Sequence, residues 1–100
     1  MKTVMVRYKL KPESVAENEA LITQVFVQIA RDKPAGMRYQ AFKQADGVSF
    51  VHVSAFDQAD ANPLIQLEAF KAFTAGIKER CVEQPAVVEL QQVGRYDHLA

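Results

Sequence analysis

Apolar and polar residues alternate from the start of the chain. Over residues 3–11, Val4, Val6, Tyr8 and Leu10 point one way, and Thr3, Met5, Arg7, Lys9 and Lys11 point the other. This is the period of a strand with one buried face, and Pro12 ends it. The period then changes. Val15, Ile22, Val25, Phe26 and Ile29 gather on one side of a helical wheel, with Leu21 at the edge, which predicts an amphipathic helix. Ser14 followed by Glu17 fits a capping box, so the helix should begin near Ser14. Lys33-Pro34-Ala35-Gly36 stops it. Met37 to Ala45 and Val48 to Phe56 read as two strands joined by Asp46-Gly47, a strong two-residue hairpin signal. Asn62-Pro63 reads as an N-cap with proline at the first helical position. The second helix then runs to about Val82, with Leu67, Phe70, Phe73, Ile77 and Cys81 as its apolar stripe. Pro85 closes it. Ala86 to Tyr96 forms a fourth strand, and Asp97 to Ala100 a short tail.

The order strand, helix, hairpin, helix, strand is that of the ferredoxin-like split βαβ arrangement. It predicts one α+β domain over residues 1–100, with a four-stranded antiparallel sheet in spatial order 4-1-3-2 and two helices on one face. The hairpin turn assigns the faces. Met37, Tyr39, Ala41 and Lys43 lie opposite Phe56, Ser54, His52 and Phe50. On the other face, Arg38, Gln40 and Phe42 lie opposite Ala55, Val53 and Val51. A slip of one residue would regroup both sets. A sheet face turned to water should read polar. Phe42, Val51 and Val53 instead form a contiguous apolar patch away from the helices, which predicts a homodimer joined through that face and closed into a barrel.

Composition narrows the classes of function. Apolar residues make up 49% of the 100, enough for a packed core. Twelve basic and twelve acidic residues cancel. A nucleic-acid partner is disfavoured, because phosphate contacts call for a basic excess. An RNA-recognition module shares this element order but needs a basic-aromatic strand 3 that is missing here. The one cysteine, Cys81, has no partner for a disulfide; it reads as a buried, inert thiol. Met1 to Leu10 has no continuous apolar core of the kind a signal peptide needs, and no apolar run is long enough to span a bilayer. The expectation is a soluble cytoplasmic protein that does not bind membranes.

The candidate chemistry is sparse. His52 shares its predicted face with Tyr39, Ser54 and Phe56, and Tyr8 is nearby on strand 1. An imidazole can take a proton from a phenol near neutral pH. It can equally be a core histidine held by tyrosine or serine neighbours. Tyr8 and Tyr39 read as core aromatics whose hydroxyls can meet a ligand. Asn18 lies on the apolar side of helix 1, in its first turn. It could hydrogen-bond a ligand, although an edge position is expected there. Arg7 and Arg38 point to the opposite face of the sheet. Neither metal-ligand spacing nor a glycine-rich phosphate loop occurs, so no metal or cofactor is expected.

The chain resembles the antibiotic-biosynthesis monooxygenase family. The resemblance is carried by Val4-Met5-Val6-Arg7-Tyr8, by Gly36-Met37-Arg38-Tyr39, by the Phe56 to Leu64 connector (FDQADANPL) and by the F-x-x-F of Phe70 and Phe73. It implies a small dimeric α/β barrel whose ligand cavity lies between the sheet and its own helices. It also implies a cofactor-independent monooxygenase acting on a small aromatic or quinol-like compound. His52 would then be the base, and Tyr39 and Tyr8 would orient the phenolic oxygen. Ser54, Phe56, Phe70, Phe73 and Asn18 would contact the substrate. The alternative on the same fold is a non-catalytic small-ligand-binding or stress-response protein. Two departures matter. Leu64 stands where some members carry a histidine, and Val4 stands near where haem-degrading members carry an asparagine. Haem degradation is disfavoured, and catalysis through the family histidine is ruled out, because leucine can neither ligate iron nor move a proton.

Overall fold

A computed structural model of the chain describes residues 1–58 and 61–99. Ala59 and Asp60, within the connector read above, and Ala100 of the tail lie outside the described residues. Four strands, β1 (Lys2–Leu10), β2 (Met37–Lys43), β3 (Ser49–Phe56) and β4 (Cys81–Leu90), form an antiparallel sheet ordered β2-β3-β1-β4. Helices α1 (Val15–Asp32), α2 (Glu68–Ala75) and α3 (Ile77–Arg80) make up the helical layer, with α1 packed on α2. This is the predicted α+β arrangement in the predicted strand order. Among the described residues, no helix is long and apolar enough to cross a membrane.

The hairpin keeps its predicted register by a different turn. Met37 faces Phe56, Tyr39 faces Ser54 and Lys43 faces Phe50. The reversal is a four-residue loop, Ala45 to Val48, rather than the two-residue turn expected. Gly47 N–H donates to the Gln44 carbonyl at 3.0 Å, and Gln44 N–H to the Ser49 carbonyl at 2.8 Å. Gly47 has φ +78 while Asp46 keeps a negative φ, so the primed turn does not form. Instead the Asp46 carboxylate accepts from Val48 N–H, Ser49 N–H and Ser49 Oγ–H. The Ala45–Val48 pair opens into the loop, Gln44 stays bonded to Ser49, and every pair from Lys43–Phe50 to Met37–Phe56 keeps its predicted register.

The helical layer departs more from expectation. Ser14 makes no capping hydrogen bond; it closes a 3₁₀ turn, Pro12–Ser14, that leads into α1. Lys33 ends α1 in the left-handed region at φ 48, with its N–H on the Ile29 carbonyl. The second helix is not continuous to Val82. Asn62 does cap a turn, accepting from Leu64 N–H at 3.0 Å, but that turn is 3₁₀ (Pro63–Gln66) and Leu67 is extended. Gly76 then separates α2 from α3. Cys81 is therefore the first residue of β4, not the end of a helical stripe, although it is buried as expected. Pro85 lies inside β4, between the Arg7–Ala86 and Lys9–Glu83 pairs, where the register shifts. An edge strand at a bulge tolerates a residue with no N–H to donate. The strand ends at Leu90 rather than Tyr96, and residues 91–99 have no regular structure.

Tyr8, Leu10, Val25, Phe50 and Phe73 anchor the core between sheet and helices. On the other side of the sheet, Met5, Val51 and Val53 stay partly exposed, and Phe42 and Val88 are about half exposed.

Candidate functional site

Register builds the site. His52 sits at the middle of the central strand β3. Tyr8 of β1 faces Phe50, two residues to one side of His52, and Tyr39 of β2 faces Ser54, two residues to the other. Diagonal neighbours on one sheet face are within reach of aromatic side chains. The two phenols thus approach the imidazole from opposite flanks. Tyr8 Oη lies 2.7 Å from His52 Nε2, and Tyr39 Oη lies 2.5 Å from His52 Nδ1. Phe73 stacks on the His52 ring at 5.3 Å between centroids, and Phe26 stacks on Tyr39 at 5.1 Å.

The array lies on the wall of a cavity of about 330 Å³ between the sheet and the second helical region. Tyr8, Tyr39, His52, Ser54 and Phe56 supply the sheet side, and Phe70 and Phe73 the helix side. Seven of the expected contact residues therefore converge on one cavity. Leu64 completes its apolar end, and Val87 of the edge strand, 69% exposed, borders an open side.

Asn18 does not line the cavity and is not at an edge. It is fully buried behind Tyr8, donating from Nδ2 to Tyr8 Oη at 2.9 Å. Its Oδ1 accepts from Arg80 Nε–H at 3.0 Å, and Arg80 Nη2 donates to the Phe73 carbonyl at 2.6 Å. The guanidinium also lies over the Phe73 ring, 5.4 Å from its centroid, a cation–π contact. Arg80 is the residue sequence reasoning missed. The signal was present: it falls seven residues after Phe73, on the same apolar stripe, where a charge has no place unless it is used. Arg7 and Arg38 lie on the other face and are exposed, as expected.

Burial dominates the electrostatics. It lowers the His52 pKa to about 4, so the ring is neutral at pH 7. It raises Tyr8 and Tyr39 above the ordinary tyrosine range, against the opposing hydrogen bond from Asn18 in the case of Tyr8. Among the described residues, no three His, Cys, Asp or Glu side chains gather as metal ligands would.

No family model matches the chain, and no curated protein matches it. Solved structures do. A putative antibiotic biosynthesis monooxygenase from Nitrosomonas europaea is 18% identical, with TM-score 0.77, covering 94% of this chain and 100% of that one. One from Bacteroides thetaiotaomicron is 13% identical, with TM-score 0.81, covering 99% and 95%. A variant of SnoaB, a cofactor-independent oxygenase from Streptomyces nogalater, is 17% identical, with TM-score 0.64, covering 92% and 94%. The resemblance read from the sequence holds at the level of fold.

Proposed function

We propose that the chain is a cofactor-independent monooxygenase acting on a small aromatic or quinol-like compound, assembled as a homodimer through the open sheet face. One observation carries the reading: a mostly apolar cavity of about 330 Å³ whose wall holds a Tyr8–His52–Tyr39 array. An aromatic ring suits the Phe56, Phe70 and Phe73 surfaces, and its hydroxyl suits the tyrosine hydroxyls. That SnoaB is a cofactor-independent oxygenase supports oxygenation without a cofactor on this fold. In the reaction, the ionised phenol supplies electrons to molecular oxygen and a carbon–oxygen bond forms. Loss of water from the hydroperoxide then leaves a quinone. One oxygen atom stays in the product and the other leaves as water. Both nitrogens of His52 already face tyrosine hydroxyls. The imidazole therefore acts through Tyr39, which meets the substrate oxygen.

A second reading is non-catalytic binding of such a compound, favoured by the absence of an unengaged ring nitrogen on His52. Oxygen uptake over a panel of quinols and naphthols, with chelator present, separates the two. The proposal expects consumption above background for at least one compound. Binding of the same compounds with no consumption by any would establish the second reading instead.

A further inference from the structure

The hydrogen-bond array does not end at His52. It continues inward through Asn18 to Arg80, and Arg80 is a donor only. That fixes a direction. Arg80 Nε–H donates to Asn18 Oδ1, so the amide must present its NH₂ to Tyr8. Tyr8 Oη accepts from Asn18, and among the described residues its own proton has one partner, His52 Nε2. An Nε2 that accepts places the proton of the neutral ring on Nδ1. Nδ1–H then donates to Tyr39 Oη, and the Tyr39 proton is left to point into the cavity. In the reverse direction Tyr8 Oη would accept from both Asn18 and His52, and its own proton would have no acceptor.

Charge reinforces direction. Arg80 is 5% exposed, and among the described residues no carboxylate pairs with it. The titratable groups around the array are Tyr8, Tyr39, His52 and, beyond Tyr8, Cys81. All are neutral at pH 7 when buried as they are here. A buried cation without a counter-charge is costly. An anion at the far end of the chain of donors offsets that cost.

We infer that Arg80 is a positioning residue that polarises the chain Arg80–Asn18–Tyr8–His52–Tyr39, so that the cavity presents the Tyr39 hydroxyl as a donor and takes its aromatic ligand as the phenolate or enolate. This deepens the function proposed above and rests on it for the ligand class. Tyr39 stabilises the anion that reduces oxygen, and the ligand's proton goes to solvent rather than to His52.

The test uses 4-nitrophenol, whose anion is coloured, and 4-nitrotoluene as a neutral isostere, both titrated against the full chain across pH. The wild type should bind the nitrophenolate about tenfold or more tighter than the neutral phenol, as a hydrogen bond to a charged acceptor predicts. The bound probe then ionises at lower pH than the free one. Arg80→Met should bring the preference towards unity while 4-nitrotoluene binds as before. If Arg80→Met does not fold, Tyr39→Phe removes one hydroxyl from the end of the chain and should abolish the same preference. A bound phenol that ionises no more easily than the free one overturns the inference. So does a preference that survives Tyr39→Phe. Failure of both probes to bind overturns it together with the proposed function. Anion preference with no oxygen consumed by any phenol sinks the reaction alone.

Discussion

His52 is enclosed between two phenols and a phenylalanine ring, and that enclosure makes its charge expensive. Its folded pKa of about 4 lies below the ordinary 6.5. The unfolded chain therefore takes up a proton first as pH falls. Stability contributed by the neutral ring is complete above pH 6.5 and is lost progressively down to about pH 4, after which this group adds nothing more. The gap corresponds to roughly 3 kcal/mol. Urea unfolding at pH 7 and pH 4.5 should show the drop in wild type and a smaller one in His52→Gln; equal drops would mean the ring is not the cause. Tyr39 carries the matching prediction for rate. Tyr39→Phe leaves the ring stacked on Phe26 but removes the donor, and should slow oxygen uptake about 10²–10³-fold, as for other lost oxyanion donors. An unchanged rate would remove Tyr39 from the reaction. Much of this site was legible in the sequence. Alternation plus one turn was enough to place His52, Tyr39, Ser54 and Phe56 on a common face. What alternation could not show is depth. Asn18 and Arg80 are polar residues on apolar stripes, 62 positions apart, and a helical wheel cannot reveal that they meet.

At the scale of elements, the strands were read more accurately than the helices. A strand's period is short, and its partners check it: β1, β2 and β3 agree with expectation to within a residue or two, the largest difference falling at the hairpin loop. The second helix was over-extended because its apolar spacing continues through Gly76 into Cys81. Spacing does not register a helix breaker. Gly76 leaves the helical region at φ −114 and ψ 14, and glycine is a poor helix former; a side chain there would crowd Arg80 Nη1 at 3.0 Å. The hairpin loop gives a testable counterpart. Three donors, from Ser49 Oγ, Ser49 N and Val48 N, hold the Asp46 carboxyl down to about pKa 2. Asp46→Ala should speed amide exchange at Val48 and Ser49 and lower the melting temperature, with β2–β3 register intact. Unchanged exchange at both amides would show that Gly47 alone holds the loop.

At the scale of the whole molecule, the open sheet face leaves a band of apolar side chains partly exposed. Phe42, Val51, Val53 and Val88 lie on it with Met5 at its centre, and burying them against a second copy would remove an apolar patch from water. Val53→Asp should place a charge in that contact and shift the chain towards monomer in light scattering at micromolar concentration. A monomeric wild type there would end the idea. The sheet order has one more consequence, and it concerns time. Strand β1 leads the sequence but lies between β3 and β4, so the strand made first is enclosed by strands made much later. Tyr8 waits 44 positions for His52, and Asn18 waits 62 for Arg80. Pairings this distant make for slow, cooperative folding. The array is closed only by those two distant links, because Asn18–Tyr8 and Tyr39–His52 span just 10 and 13 positions. Until the chain has folded through α3, Asn18 has no donor to orient it and Tyr39 has no fixed proton. Affinity for an aromatic anion should therefore arise in refolding only with the last kinetic phase, never with an early collapsed intermediate.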